Sequence, residues 1–374
     1  MKKIIFLLGL GILVLTGCDE QTPETIAPSS GRPALVIEAE YTHTAFLIFG
    51  PIQITIYGVD CNQENGSYVD ERCYLLHEAF ERILDMERRW TVNDVGGEVE
   101  RINEMAGIEP VEVQADTFYL IEQAIHYSIY SDAAFNIAIG PLTRLWNIAM
   151  PGSRRPADQE IEAVLPLLDP TRITLDAEAS TVFLEDIGMR LDLGGIAKGF
   201  MPDLVAEFFL ENDIEHALMI VGGEVVALNG RPNGNFFRIG IRNPFLDEDS
   251  PGDHHLVGTL PIFDQALITS GTYERYLAHQ ESQTFYHHLF DSRTGFPFET
   301  DIVSLTIIAD TGLLGEVYTK IIFALGIEEG LAYVEAHAGI EALFISDDNG
   351  IYLSSGLKDV FDFLLPDEFE IRTP

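Results

Sequence analysis

The chain has 374 residues, and 60 acidic against 22 basic residues leave a formal net charge of −38. Hydrophobic residues make up 47% and aromatic residues 10%, a globular composition that excludes a disordered acidic chain. So acidic a surface also excludes a nucleic-acid binder, because a phosphate backbone needs a basic face. An anionic ligand must therefore be held by locally concentrated cations or by backbone N–H groups.

The amino terminus predicts export and lipid attachment. Two lysines precede an apolar run at 4–14, which is too short for a spanning helix of about 20 residues. The sequence LTGC at 15–18 resembles a bacterial lipobox, which predicts a signal peptide at 1–17 and a lipid on Cys18. Residues 18–34 are polar and predict a flexible tether. We expect an extracytoplasmic protein that is lipid-anchored to the cell membrane; an ordinary signal peptide or a short anchor is the alternative.

Two further cysteines, Cys61 and Cys73, follow the lipobox. Outside the cytoplasm a disulfide between them is plausible, and two unpaired thiols are the alternative. The sequence has no CxxC, HExxH, GxSxG or Walker motif.

The body of the chain mixes strands and helices. Residues 45–58 predict β-structure that is broken at Gly50-Pro51. Amphipathic helices are predicted at 74–89 and 117–130, and a short hairpin is predicted at 173–184. No second linker follows the tether, so residues 35–374 are expected to form one enzyme-sized domain. The mixed order of elements favours an α+β fold.

The segment at 189–203, MRLDLGGIAKGFMPD, predicts a strand that ends at Leu193, two glycines, and a helix from about Ile196 to Asn212. Glycines at the start of a helix let backbone N–H groups approach a phosphate, and the helix dipole favours negative charge there. Lys198 stands in the first helical turn, where a nearby anion would account for it. A tight turn with an exposed lysine is the alternative.

Two segments further along the chain combine polar side chains with glycine. In ALITSGTYERY, at 266–276, a strand meets Thr269-Ser270-Gly271, with Arg275 within one helical turn. This pattern suits the rim of an anion or cofactor site, or a plain strand-to-helix cap. In HHLFDSRTGFP, at 287–297, His288 precedes a turn, and its ordinary pKa near ~6.5 suits a general base. A structural histidine is the alternative.

The segment at 304–326 predicts a strand through Ala309 and a helix that begins near Leu313. Glu316 could ligate Mg²⁺ through oxygen. Glu316 and Lys320 also stand at i and i+4 in the orientation that favours a helix-surface ion pair.

Seven segments in this order resemble the FAD:protein FMN transferases, the ApbE family. They are ERRWTVNDVGGEVERINEMAG, DAAFNIAIGPLTRLW, DLGGIAKGF, IVGGEVVALNG, TSGTYERY, HHLFDSRTGFP and FALG. The resemblance implies a T-fold-like α+β architecture of two lobes with FAD in the cleft between them. It also implies that FAD gives its FMN moiety to a Thr or Ser hydroxyl of a partner protein and that AMP leaves. The acceptor is expected to be an exported flavoprotein or a subunit of a membrane redox complex.

The resemblance also implies roles for individual residues. His288 matches the base that deprotonates the acceptor hydroxyl, and Asp192 and Lys198 match contacts to the flavin dinucleotide. Further cofactor contacts are implied for Phe49, Asn93, Ala134, Phe135, Asn136 and Phe290. Gly195 stands where a backbone carbonyl reaches the metal ion, and Glu316 and Thr319 are the other expected Mg²⁺ ligands.

Several residues depart from the family pattern. Glu316 replaces an Asp, and Lys320 replaces a Thr ligand of the metal ion. In one hypothesis Lys320 turns away and Mg²⁺ stays on Glu316, Gly195 and Thr319; in the other the lysine replaces the metal ion as a fixed cation.

Asn136 and Ser292 also replace residues usual in the family, an Asp and a Pro. A catalytically impaired FAD-binding lipoprotein is the alternative function. A solute-binding lipoprotein is a more distant one, because the order of elements does not suggest two similar α/β lobes.

Overall fold

A computed structural model describes residues 40–47, 50–64, 66–92, 96–246, 254–279 and 284–373. The predicted signal peptide, Cys18 and the tether lie outside the described residues, and so do Phe49 and Asn93. In the part of the chain that is described, no helix is both long enough and apolar enough to cross a membrane.

The described residues form helices and strands throughout the chain. The α-helices are α1 (Cys73–Trp90), α2 (Glu98–Glu104), α3 (Ala115–Tyr130), α4 (Gly140–Trp146), α5 (Asp158–Val164), α6 (Ala197–Glu211) and α7 (Gly312–Ala336). Short 3₁₀ helices lie at Ile137–Ile139, Leu165–Leu167, Pro170–Arg172 and Ser355–Leu357.

The strands alternate with these helices along the chain. They are β1 (Tyr41–Leu47), β2 (Gly50–Tyr57), β3 (Gln63–Glu64), β4 (Ser67–Tyr68), β5 (Val111–Glu112), β6 (Ile173–Asp176), β7 (Thr181–Leu184), β8 (His216–Val221), β9 (Glu224–Leu228), β10 (Phe237–Arg242), β11 (Leu256–Ile262), β12 (Ala266–Gly271), β13 (Tyr276–His279), β14 (Thr284–His287), β15 (Phe290–Asp291), β16 (Phe296–Pro297), β17 (Ile302–Ala309), β18 (Ile340–Ser346), β19 (Gly350–Leu353), β20 (Asp362–Phe363) and β21 (Glu370–Arg372).

A nine-stranded sheet in the order β1-β2-β8-β9-β12-β17-β18-β19-β21 organises the fold. Its pairings are antiparallel except β19 with β21. Strand side chains alternate between the two faces of a sheet. In β8, Ala217, Met219 and Val221 pack with the helices, whereas Leu218 and Ile220 pack against the small sheet β10-β11-β20. The result is three layers, helices over a large sheet over a small sheet, and the α+β prediction is confirmed.

Most of the predicted elements are present. The helices predicted at 74–89, 117–130 and 196–212 correspond to α1, α3 and α6, and the short hairpin is β6–β7. Cys61 and Cys73 form a disulfide. This confirms the disulfide and excludes the alternative of two unpaired thiols. The bond ties the start of α1 to the loop after β2.

Two local predictions are wrong. The segment that ends at Leu193 forms no strand, because Leu191 exchanges its backbone hydrogen bonds with the side-chain amide of Asn103. Arg275 does not lie in a helix: β12 runs through a turn into β13, which pairs with β14 as a hairpin. In both places the backbone forms hydrogen bonds with partners that are far away in the sequence, and a local sequence pattern does not specify them.

Candidate active site

Four charged side chains from α6, β9 and α7 meet at the centre of the molecule, and we call them the lysine–carboxylate cluster: Lys198, Glu224, Glu316 and Lys320. The Lys198 ammonium pairs with Glu224 and lies 3.4 Å from Glu316 Oε1. The Lys320 ammonium pairs with Glu316 Oε2. Glu316 therefore lies between two cations. The i,i+4 ion pair expected between Glu316 and Lys320 is present. Its expected place on the helix surface is wrong, since Glu316 is completely buried.

The cluster is layered, with the carboxylates beneath the ammonium groups. The side chains of Glu316 and Glu224 are 0% and 3% exposed, whereas those of Lys320 and Lys198 are 15% and 19% exposed. The two ammonium groups are therefore the more accessible part of the cluster, and the exposed carboxylate of Glu274 interacts with both of them. On a chain with a net charge of −38, two accessible lysines side by side are a local concentration of positive charge, which an anionic ligand requires.

Burial and pairing act against each other on the pKa values of the cluster. Burial alone would lower the pKa of Lys198, but the carboxylates of Glu224 and Glu316 outweigh it and hold the pKa above its usual value. Burial would raise the pKa of Glu316, but the charges of Lys198 and Lys320 outweigh it and hold the pKa below its usual value. For Glu224, burial exceeds the effect of Lys198 and raises the pKa to about 7.

A close helix crossing brings Lys198 and Glu316 together. A Cβ atom added to Gly199 would lie 2.1 Å from the backbone oxygen of Gly312, and one added to Gly312 would lie 2.2 Å from that of Gly199. Glycine at both positions therefore lets α6 and α7 touch backbone to backbone. Asp203 of α6 fastens the crossing, because its carboxylate accepts the Gly312 and Leu313 N–H groups at 2.7 and 2.9 Å.

A tight hairpin places Glu224 under Lys198. Gly222 and Gly223 join β8 to β9 with φ values of 60° and 107°, which glycine adopts without strain, and Val221 pairs with Glu224. Sequence reasoning assigned no role to Glu224. The signal was present, since Glu224 is a lone charge within the apolar run IVGGEVVAL, and a charge in a buried strand needs a partner.

His288 lies between β14 and β15 on the other side of the site. Its Nδ1 is 3.2 Å from the Arg275 carbonyl oxygen, and its backbone N–H donates to the same oxygen at 3.1 Å. A carbonyl oxygen only accepts, so Nδ1 carries the proton and Nε2 keeps its lone pair. Burial, with the charges of Arg275, Lys198 and Lys320, lowers the pKa of His288 to about 3.

His288 interacts electrostatically with the cluster, because the charges of both lysines contribute to lowering the pKa of the imidazole. The His288 ring keeps accessible surface although protein surrounds it on most sides, as a side chain that lines a cleft does. A neutral imidazole with a free Nε2 can accept a proton, and the neighbouring cations can hold an anion. The arrangement is therefore suited to deprotonating a hydroxyl beside a phosphate.

The glycine loop before α6 is held by Asp192. One carboxylate oxygen accepts the Gly194 N–H at 2.9 Å, and the other accepts the Thr143 hydroxyl at 2.8 Å. Gly195 follows, and a Cβ atom added there would lie 3.5 Å from the Phe135 ring and 3.7 Å from Lys320 Cε. The structure thus brings Gly195, Phe135 and Lys320 together, and Asp192 sets the path of the loop between them.

Asn136 and Ser292, which both depart from the family pattern, contact each other. The Asn136 amide donates to Ser292 Oγ at 3.1 Å and to the Leu168 carbonyl at 2.8 Å, while its oxygen accepts the Ala138 N–H at 2.8 Å. Ser292 Oγ in turn donates to the Ala133 carbonyl at 2.8 Å. An Asp at 136 would lack the two donors, so the Asn and the Ser form a matched pair.

The remaining predicted cofactor contacts are buried apolar residues. Ala134 and Phe135 are 9% and 4% exposed. Phe290 packs against Trp146, with the ring centroids 5.5 Å apart. Their contact with a cofactor stays a prediction, and so do the roles of Phe49 and Asn93, which lie outside the described residues.

Among the expected Mg²⁺ ligands Glu316 supplies the one carboxylate, and a lysine ammonium lies beside each of its two oxygens. Among the described residues, no group of three or more His, Cys, Asp or Glu side chains could hold a metal ion. Glu316 Oε1 and Glu224 Oε2 are buried without a hydrogen-bond partner, but a divalent ion beside them would lie against the Lys198 ammonium. Thr319 donates its hydroxyl to the Glu316 carbonyl at 2.7 Å. In this arrangement the residues do not fit Mg²⁺.

Comparisons with known proteins agree on one family. The sequence model of the ApbE family matches residues 51–344. The FAD:protein FMN transferase of Klebsiella pneumoniae (strain 342) is 36% identical over 315 residues, which cover 84% of this chain and 92% of that protein. The enzyme of the same name from Treponema pallidum (strain Nichols) is 32% identical over 298 residues, 76% of this chain and 80% of that protein.

Solved structures share the fold. The crystal structure of the ApbE protein from Thermotoga maritima has a TM-score of 0.74 at 24% identity and covers 86% of this chain and 99% of its own. The flavin transferase ApbE from Vibrio cholerae has a TM-score of 0.70 at 23% identity, with the same coverage.

Proposed function

The chain belongs to the ApbE family and is a flavin transferase with a protein acceptor, and we propose that the site described above binds FAD and passes its FMN moiety to a Thr or Ser hydroxyl. The observation that carries this proposal is the free Nε2 of His288 beside the lysine–carboxylate cluster. His288 can accept the proton of a hydroxyl, and the lysines of the cluster can hold the two phosphates of FAD.

The proposed reaction is a single displacement at phosphorus. The acceptor hydroxyl oxygen bonds to the FMN phosphorus, and its proton moves to His288 Nε2. The bond between that phosphorus and the bridging oxygen breaks, the electron pair stays on the phosphate of AMP, and AMP leaves. Such transfers depend mainly on positioning and on neutralising the phosphate charge, which are the roles we assign to the glycine loop and to Lys198.

The surroundings of His288 support its role as a base. The Arg275 carbonyl fixes the tautomer, so the lone pair on Nε2 needs no rearrangement before it accepts a proton. The lowered pKa keeps the imidazole neutral at physiological pH. The two phosphate charges of bound FAD would raise this pKa again and strengthen the base when the substrate is present.

The cellular setting is also a proposal. The lipobox-like sequence and the polar tether support a chain that is anchored through Cys18 outside the cytoplasm and modifies exported flavoproteins or membrane redox subunits. Expression of wild type and Cys18→Ser tests the anchor. Wild type should fractionate with membranes and carry a lipid by mass spectrometry, and the variant should do neither. Membrane binding of the variant without lipid would contradict the anchor.

Transfer itself is tested with purified full-length protein in detergent. The protein is incubated with FAD and the exported and membrane proteins of its own cell, and a denaturing gel is inspected for covalent flavin fluorescence. A fluorescent acceptor band whose labelled peptide carries FMN on Thr or Ser is expected. Tight FAD binding without any labelled band would instead support the alternative, a catalytically impaired FAD-binding lipoprotein.

A further inference from the structure

Lys320 stands at the position of a Thr ligand of the metal ion in the family, and its side chain lies beside two other expected ligands. Its ammonium pairs with Glu316, and its Cε lies 3.7 Å from the place where a Cβ on Gly195 would stand. Gly195 and Glu316 are two of the three residues expected to ligate Mg²⁺. The lysine side chain therefore lies between the expected ligands.

The ammonium also has the bonding capacity that the role requires. It carries three N–H donors, of which one donates to Glu316. Its side chain is 15% exposed, whereas that of Glu316 is 0% exposed, so Lys320 is the more accessible member of the pair. The buried carboxylate holds the ammonium in place, and two donors of the ammonium are left to bind an anion.

A divalent ion at the same place would be repelled by both lysines. Lys198 is 3.4 Å from Glu316 Oε1, and Lys320 pairs with Oε2, so each oxygen of this carboxylate already faces a cation. Like charges a few Å apart repel strongly where little water separates them. Keeping Mg²⁺ would require Lys320 to leave Glu316.

From this geometry we propose that the Lys320 ammonium takes the place of the divalent ion, so that the chain binds the pyrophosphate of FAD and transfers FMN without a divalent metal. This inference rests on the proposed function and specifies how its site neutralises phosphate. When the phosphorus–oxygen bond breaks, Lys320 donates to the phosphate oxygen that receives the electron pair, while the proton of the acceptor hydroxyl goes to His288. No further reactant is needed.

The test uses full-length protein freed of metal with EDTA and then measured with FAD in EDTA or in Mg²⁺. Wild type is expected to bind FAD with the same affinity in both, by quenching of flavin fluorescence. Transfer is expected at the same rate in both. Protein purified in Mg²⁺ and never exposed to EDTA is expected to carry far less than one divalent ion per chain by elemental analysis. FAD binding or transfer that is lost in EDTA and restored by Mg²⁺ would overturn the inference.

Three variants assign the effect to Lys320. Lys320→Met is expected to weaken FAD binding about 10- to 100-fold, the range for the loss of a charge-assisted hydrogen bond. The matched control Lys358→Met removes an exposed lysine elsewhere and should leave the affinity unchanged. Should Lys320→Met fail to fold, the double variant Glu316→Gln/Lys320→Met removes both charges and should show the same loss. An affinity equal to that of wild type in the folded variant would overturn the inference.

The two proposals fail in distinguishable ways. Wild type that labels no acceptor in either buffer contradicts the proposed function, while the two FAD affinities and the metal content still decide the role of Lys320. Transfer that requires Mg²⁺ supports the proposed function and overturns the inference.

Discussion

The two sides of the candidate site are built differently. The lysine–carboxylate cluster consists of paired charges held by a glycine crossing of α6 and α7, whereas His288 is a neutral ring held by one backbone carbonyl. Removing a charge from the cluster leaves a buried partner without one of its ion pairs, whereas His288 forms no ion pair with any of the described residues. Changes in the cluster should therefore affect stability and FAD binding together, and changes at His288 should affect chemistry alone.

The largest expected effect is on catalysis by His288→Ala. We expect flavin transfer to fall by about 10²- to 10⁴-fold, the usual contribution of a general base, with FAD affinity unchanged. His287→Ala is the matched control, because the His287 ring bonds instead to the Phe298 carbonyl at 3.1 Å. Equal loss of FAD binding and transfer in His288→Ala would make His288 a binding or structural residue.

Lys198→Met should give the largest loss of stability. Lys198 faces two buried carboxylates, and removal of one partner from a buried ion pair costs about 3–5 kcal/mol. Urea unfolding measures the loss, and FAD titration of the folded variant should show weaker binding. Lys320→Met should cost less, because Glu316 keeps Lys198 as a partner. Equal losses of stability in Lys198→Met and Lys320→Met would contradict this difference between the two lysines.

Removing the disulfide should lower the stability of the whole fold without changing the candidate site. The bond closes a loop across 12 residues, so its removal should lower the free energy of unfolding by about 3 kcal/mol. Cys61→Ser/Cys73→Ser should therefore unfold at lower denaturant concentration and still bind FAD with the affinity of wild type. Weaker FAD binding by the double variant would mean that the cluster depends on the disulfide-bonded part of the fold.

Patterns along the chain predict the regular elements well. The helices α1, α3 and α6 and the hairpin β6–β7 follow from local periodicity and turn residues. The apolar residues through Leu193 predict a strand, but the backbone of Leu191 bonds to the side chain of Asn103, 88 positions away. Such pairings are set by tertiary structure and leave no local signal.

The candidate site shows the same limit. His288 and Lys198 could be singled out from residue type and neighbourhood, and family resemblance supplied their roles. The Glu224 partnership, the burial of Glu316 and the Asn136–Ser292 contact depend on segments that meet only in the fold. An i,i+4 pair is visible in sequence, but its burial depends on the packing of α6 across α7.

Gly199→Ala tests whether the helix crossing positions the cluster. The new Cβ would lie 2.1 Å from a backbone oxygen, so the helices must separate, at a cost of about 1–3 kcal/mol and with weaker FAD binding. Gly195→Ala is the control for stability, because its Cβ would meet the Phe135 ring at an ordinary 3.5 Å. Equal melting temperatures for the two variants would contradict the role of the crossing.

The smallest effect concerns the pH dependence that Asp203 gives to stability. Burial raises the pKa of Asp203 to about 7, although the hydrogen bonds that its carboxylate accepts from two backbone N–H groups act to lower it. A raised pKa in the folded state gives stability that is present below about pH 4 and is lost as the pH rises through about 7. Between these values, Asp203→Asn should show a flatter fall of melting temperature than wild type. Parallel curves would contradict this role.

The most direct measurement counts products. Full-length protein, FAD and an acceptor that becomes labelled are mixed in EDTA, and AMP and covalent flavin are quantified from the same reaction. We expect one AMP for each flavin bound to the acceptor, at a rate that Mg²⁺ does not change and that His288→Ala lowers by about 10²- to 10⁴-fold. AMP without labelled acceptor, or labelling by His288→Ala at the rate of wild type, would contradict the account.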